Sequence, residues 1–254
     1  MAYTIALAGK GGTGKTTLAG LLIRYLVEKG RKPVLAVDAD ANANLNEVLG
    51  VPAGKTIGEA REEMKKGGLP GMTKDVFMEM RIQESLIEAE GFDLIIMGRP
   101  EGQGCYCAAN SLLSQFIEKL SANYPYIVVD NEAGMEHLSR LTTREIDTLL
   151  IVSDSSRRGI QAAIRIGELT RELGLVIEKK LVVINRAEEK ELGELEEWKK
   201  MLQEQGLTLL GVIPKDEMIY HYDKEGKPTS TLPEHSPARI EAFRLFDAVF
   251  SEGS

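Results

Sequence analysis

The chain has 254 residues, enough for one α/β domain around a single core that buries roughly three-quarters of its unfolded surface. Its 31 basic and 39 acidic residues leave a net charge of −8, which argues against a sequence-independent grip on DNA or anionic lipid. With no apolar run long enough to span a bilayer, no charged-then-apolar leader and no closing basic amphipathic helix, a cytoplasmic protein without membrane or nucleic-acid partners is expected.

The apolar run Tyr3 to Ala8 reads as a strand, and Gly9-Lys10-Gly11-Gly12-Thr13-Gly14-Lys15-Thr16 follows it at the head of an alanine- and leucine-rich helix. This is a phosphate loop in the expected context of strand, glycine-rich turn and helix. Glycines let several N–H groups point inward, and the helix N-terminus adds a positive dipole end. Lys15 is expected to reach the β- and γ-phosphates of ATP, or the β-phosphate of ADP, while the Thr16 hydroxyl suits Mg2+. The helix carries Leu18, Leu21, Leu22, Tyr25 and Leu26 at helical spacing and stops at Gly30.

Pro33 to Val37 reads as a strand buried on both faces, which completes a βαβ unit and delivers Asp38 and Asp40 to its C-terminal edge. Carboxylates there either hold an attacking water and the metal's water shell or cap a following helix. From Gly50 to Gly91 glycines and prolines break the pattern, leaving helical stretches at 57–66 and 76–89 in an irregular connection over the sheet edge. Its Met64, Met72, Met78 and Met80 read as core filling or as an adaptable partner surface.

The strand Phe92 to Met97 leads into Gly104-Cys105-Tyr106-Cys107 and a helix expected from about Ala108 to Ala122. These are the only two cysteines, in a chain that needs no disulfide framework, so a chemical use is expected. Two thiols one residue apart can face a single soft metal ion but fill only half of a tetrahedral site. Two copies of the pair on a two-fold axis would complete it. Small apolar fillers or a redox pair are the other readings.

Tyr126 to Asp130 is an apolar strand ending in a carboxylate, the form of a Walker B element whose Asp holds Mg2+ through water; the Asp-x-x-x-Gly spacing to Gly134 suits a γ-phosphate-sensing segment. His137 reads as a surface or cap residue, or as a third metal ligand. Strands follow at 148–152 and 180–184, separated by a helix from about Arg158 to Leu173. A charged helix spans Lys190 to Gln205, a last strand runs into Pro214-Lys215-Asp216, and an amphipathic helix covers Pro237 to Phe250. The fold class is a single-domain, mostly parallel twisted sheet with helices on both faces, spanning 1–254.

The Lys-Gly-Gly-x-Gly-Lys-Thr-Thr loop from Lys10 to Thr17 resembles the deviant phosphate loop of the MinD, ParA and nitrogenase iron-protein class. The other elements, in order over nearly the whole chain, resemble that class too. The resemblance implies an ATP hydrolase that closes as a homodimer, with Lys10 crossing to the partner's phosphates and Asp40 orienting the hydrolytic water. It also implies Asp38 near the Mg2+ shell, Gly134 in the second switch, and Asn185-Arg186 with Pro214, Lys215 and Asp216 around adenine. Adding Cys105 and Cys107, the chain is similar to CooC-type nickel-insertion ATPases. That resemblance implies Ni2+ or Zn2+ between two subunits, and carbon monoxide dehydrogenase or acetyl-CoA synthase as the client. A MinD- or ParA-like positioning ATPase and an iron–sulfur carrier or reductase remain the alternatives.

Overall fold

The computed structural model describes residues 2–65, 71, 73–99, 117–131 and 145–251. Its elements in chain order are β1 (Tyr3–Gly9), α1 (Lys15–Glu28), β2 (Val34–Ala39), α2 (Leu45–Leu49), α3 (Ile57–Lys65), α4 (Lys74–Gln83), β3 (Ile87–Ala89) and β4 (Phe92–Ile96). After them come β5 (Tyr126–Asn131), β6 (Glu145–Ser153), α5 (Arg157–Glu172), β7 (Val176–Ala187), α6 (Leu195–Gln203), β8 (Thr208–Pro214), α7 (Glu217–Lys224) and α8 (Pro237–Ser251). Of the helix expected at 108–122, residues 117–120 are helical and the part up to 116 lies outside the described residues.

The strands form one sheet in the order β3-β4-β2-β5-β1-β6-β7-β8, parallel except for the edge strand β3. From β1 the chain works outward through β2 and β4, returns to insert β5 beside β1, then crosses to β6, β7 and β8. That reversal leaves a crevice at the C-terminal ends of β1, β5 and β6, where open α/β sheets take their ligands.

Strand alternation sends neighbouring residues to opposite faces. Ile5 and Leu7 of β1 join the core under α1, α2 and α8, whereas Ala6 and Ala8 join the one under α3, α4, α5 and α6. Burial on both faces explains why the central strands read as continuous apolar runs. Helix α8 turns Ala238, Ala242, Leu245, Phe246, Val249 and Phe250 inward, and the Phe250 ring stacks on Tyr25 of α1 at 5.8 Å. A fully buried Phe or Leu on such a face stabilises the fold by about 1.5–3 kcal/mol.

One expectation is corrected. The helical pattern at 76–89 stops at Gln83, and Ile87, Glu88 and Ala89 pair antiparallel with Leu94, Asp93 and Phe92. The two residues between them, Glu90 and Gly91, make a tight hairpin in which Gly91 takes φ 85. A two-residue turn ending in glycine dictates a hairpin, and that outweighs helical spacing over the last few residues. The short helices α2 and α7 carried too few apolar repeats to be anticipated. Met64 and Met80 pack against the core, in keeping with core filling.

Candidate nucleotide site

The phosphate loop leaves β1 against β6. Gly9 lies so close to that strand that a Cβ there would sit 2.2 Å from the Val152 carbonyl oxygen. Gly14, the residue before α1, is left-handed at φ 89 and starts the helix without a side-chain cap. Within the loop Lys10 is exposed, while Thr13 and Lys15 are buried. The Lys10 carbonyl gathers the loop, accepting from Thr13 Oγ1 at 2.9 Å and from Lys15 Nζ at 3.3 Å. Burial lowers the Lys15 pKa, an effect that the Asp130 and Asp40 carboxylates counter. Its ammonium is thus held at the mouth by one neutral acceptor and by nearby negative charge.

Two of the predicted carboxylates come together. Asp38 of β2 and Asp130 of β5 are register partners on adjacent strands, so their Cα atoms lie about 5 Å apart. Both are shut off from solvent, at 0% and 1% exposed. Their even positions direct the side chains to the α1 face, as with Ala36 and Val128. Asp38 accepts from the backbone N–H of Asp40 at 3.1 Å and of Leu45 at 2.9 Å, so it shapes the following loop and caps α2. Burial pushes its pKa up to about 6, against the pull of those N–H groups. Asp130 is pushed up to about 7, first by burial and then by Asp38 and Asp40, with a Thr16 hydrogen bond and the Lys15 charge acting the other way.

Asp130 Oδ1 is buried without a hydrogen-bond partner, as is Oδ1 of Asn131. A buried oxygen left unpaired costs about 1–3 kcal/mol, a cost that a hard cation would remove. Thr16 and Asp130 therefore fit Mg2+. No group of three or more His, Cys, Asp and Glu able to hold a metal occurs among the described residues, so such an ion would take its other oxygens from water and phosphate. Asp40 stands half-buried at the rim, with one carboxylate oxygen accepting from Asn42 N–H at 2.8 Å.

On the other flank, Asn185 and Arg186 at the end of β7 reach the loop itself. Asn185 Nδ2 donates to the Thr13 carbonyl at 2.8 Å, and Arg186 Nη1 donates to that of Gly12 at 2.9 Å. The Lys215 N–H returns to the Ala187 carbonyl at 3.0 Å, so the Pro214–Asp216 segment stands beside them. The Asp216 carboxylate accepts from Met218 N–H at 2.9 Å, Ser236 Oγ at 2.6 Å and Ala238 N–H at 3.1 Å. Both its oxygens are thus engaged in capping α7 and α8, which leaves the segment's backbone and the exposed Lys215 side chain to meet a ligand.

Cys105, Cys107, Gly134 and His137 lie outside the described residues. Asn131 was missed by sequence reasoning, although its Nδ2 donates to the Leu7 carbonyl at 2.7 Å and ties β5 to β1 beside the loop. The available signal was a second polar residue directly after a buried strand Asp.

Residues 4–229 match the family model described as the CobQ/CobB/MinD/ParA nucleotide binding domain. An uncharacterized ATP-binding protein of Methanocaldococcus jannaschii is 43% identical over 237 residues, which cover 91% of this chain and 92% of that protein. The carbon monoxide dehydrogenase accessory protein CooC of Rhodospirillum rubrum is 32% identical over 249 residues, 87% of each chain. The septum site-determining protein MinD of Pyrococcus horikoshii, solved with Mg-ADP, superposes with a TM-score of 0.76 at 24% identity, covering 100% of this chain and 98% of its own.

Proposed function

Because the chain belongs to the CobQ/CobB/MinD/ParA nucleotide-binding family, we propose that it is an ATP hydrolase that closes as a homodimer and couples ATP turnover to nickel delivery. The observation that carries the hydrolase reading is the buried, unpartnered Asp130 oxygen beside Thr16 and Lys15 at the mouth of the loop. In this reading the loop amides and Lys15 hold the β- and γ-phosphates of ATP, and Asp40 orients the water that attacks the γ-phosphorus to give ADP and phosphate. Thr16 and Asp130 would hold Mg2+, and Asp38 would act through its water shell. The ion would supply neutralisation of the phosphate charge. Exposed Lys10 reaches the partner subunit's nucleotide, and Gly134 senses the γ-phosphate.

The nickel part rests on two supports, the likeness to the CooC accessory protein and the Cys105–Cys107 pair in the sequence. Two thiolates from each subunit would hold Ni2+ as cargo, with Zn2+ a competitor for the same soft ligands. Carbon monoxide dehydrogenase or acetyl-CoA synthase is the client, and the cytoplasm the compartment. The MinD-like positioning reading stands as the alternative, although α8 commits its apolar face to the core and is not itself free to bind a membrane.

Sedimentation velocity tests the closure. With Mg-ATP the wild-type protein is expected to shift from monomer to dimer, and Lys10→Ala to bind nucleotide while remaining monomeric. Normal dimerisation by Lys10→Ala would reject the cross-subunit role.

A further inference from the structure

Strands β7 and β8 shift register twice: Leu210 is extra on β8 between the Val182 and Val183 pairs, and after Asn185 pairs with Ile213 the ladder slips again, so that Ala187 pairs with Pro214 and Arg186 is the extra residue on β7. A bulge of this kind re-aims a side chain, and such bulges gather next to active sites. Arg186 also sits at φ 61, a left-handed conformation that a long side chain keeps only when its surroundings enforce it. Its guanidinium lies over the phosphate loop: a Cβ added to Gly14 would meet Asn185 Nδ2 at 2.5 Å and Arg186 Nη2 at 3.4 Å.

The two clamped carbonyls, Gly12 and Thr13, fix the peptides that follow them. In a trans peptide the N–H points opposite to the C=O. Drawing both oxygens toward Asn185 and Arg186 therefore turns the N–H groups of Thr13 and Gly14 into the loop's concavity. The Thr13 N–H accordingly faces the Lys10 carbonyl, at a long 3.4 Å.

We infer that Arg186 is a positioning residue that acts through the Gly12 carbonyl to preset the phosphate loop in its phosphate-receiving shape, rather than a residue that reads the base. The inference deepens the nucleotide-binding reading above and rests on it. A left-handed Arg on a bulge couples the end of β7 mechanically to the loop, and its contribution falls on phosphate affinity before any chemistry.

The test uses Arg186→Gly, which keeps the left-handed backbone and removes the guanidinium, and Arg186→Asn as a second variant that tolerates the same conformation. Arg186→Lys keeps one donor. Hydrogen exchange of the Thr13 and Gly14 amides in nucleotide-free protein is expected to accelerate about tenfold in the Gly and Asn variants. Affinity for both ADP and pyrophosphate, measured with Mg2+, falls about three- to tenfold, the loss expected from one exposed charged hydrogen bond. KM for ATP rises by the same factor with little change in kcat, and Arg186→Lys recovers part of it. Weakened ADP binding with unchanged pyrophosphate binding would assign Arg186 to the base and overturn the inference, as would unchanged loop exchange. If the wild-type protein binds no nucleotide, the nucleotide reading fails, while the exchange rates still judge the clamp.

Discussion

The two flanks of the phosphate loop are built on opposite principles. On the β2–β5 side, Asp38 and Asp130 are buried side by side, both with raised pKa values, and one Asp130 oxygen is left without a partner. On the β7 side, Asn185 and Arg186 each donate one hydrogen bond to the loop's carbonyls. In the proposed reading the first flank awaits a cation and phosphate, and the second holds the receptacle in shape beforehand, so that metal selectivity and loop shape would reside on different strands.

The sharpest way to break this contrast is Asp130→Asn. The variant is expected to lose Mg-dependent hydrolysis by about 10²-fold or more while gaining stability without nucleotide. The sign follows from linkage. A carboxylate whose folded pKa is raised to about 7 binds more protons folded than unfolded, so its ionisation erodes stability as pH rises from the ordinary carboxylate range to about 7. The variant lacks that slope, so its advantage in denaturant unfolding should be small at pH 5 and reach about 1–3 kcal/mol at pH 8. A constant advantage across that range would assign the gain to something other than the buried charge.

Gly14→Ala probes the opposite flank with a smaller effect. A left-handed alanine is strained, and its methyl group would collide with Asn185 Nδ2. A stability loss of about 1–2 kcal/mol at every pH is expected, together with weaker nucleotide binding. Smaller still is the effect of removing the Arg186 guanidinium, which should leave stability nearly unchanged and show mainly in loop exchange and KM.

Much of this site could be read from the amino acids, because each piece is local. The loop glycines, Lys15, Thr16 and the strand-terminal Asp38 and Asp130 announce themselves by spacing within one βα or strand segment. The register that sets Asp38 beside Asp130 could not be read, because β5 inserts between β1 and β2 from far along the chain. Nor could the direction of Arg186, which depends on a one-residue slip between β7 and β8. The Asn185-Arg186 pair is expected from the sequence to meet adenine, and one donor of each side chain meets the loop. The hairpin at Gly91 was hidden by a helical pattern that happened to continue through Ile87–Ala89, the first of its two strands.

Nickel binding measured anaerobically by equilibrium dialysis, with and without Mg-ATP, tests the account most directly. It predicts one Ni2+ per pair of chains in the presence of ATP, weak binding without it, and loss of the site in Cys105→Ser with Cys107→Ser, with ATP hydrolysis retained. Nickel binding that ignores ATP, or that survives removal of both thiols, would contradict it.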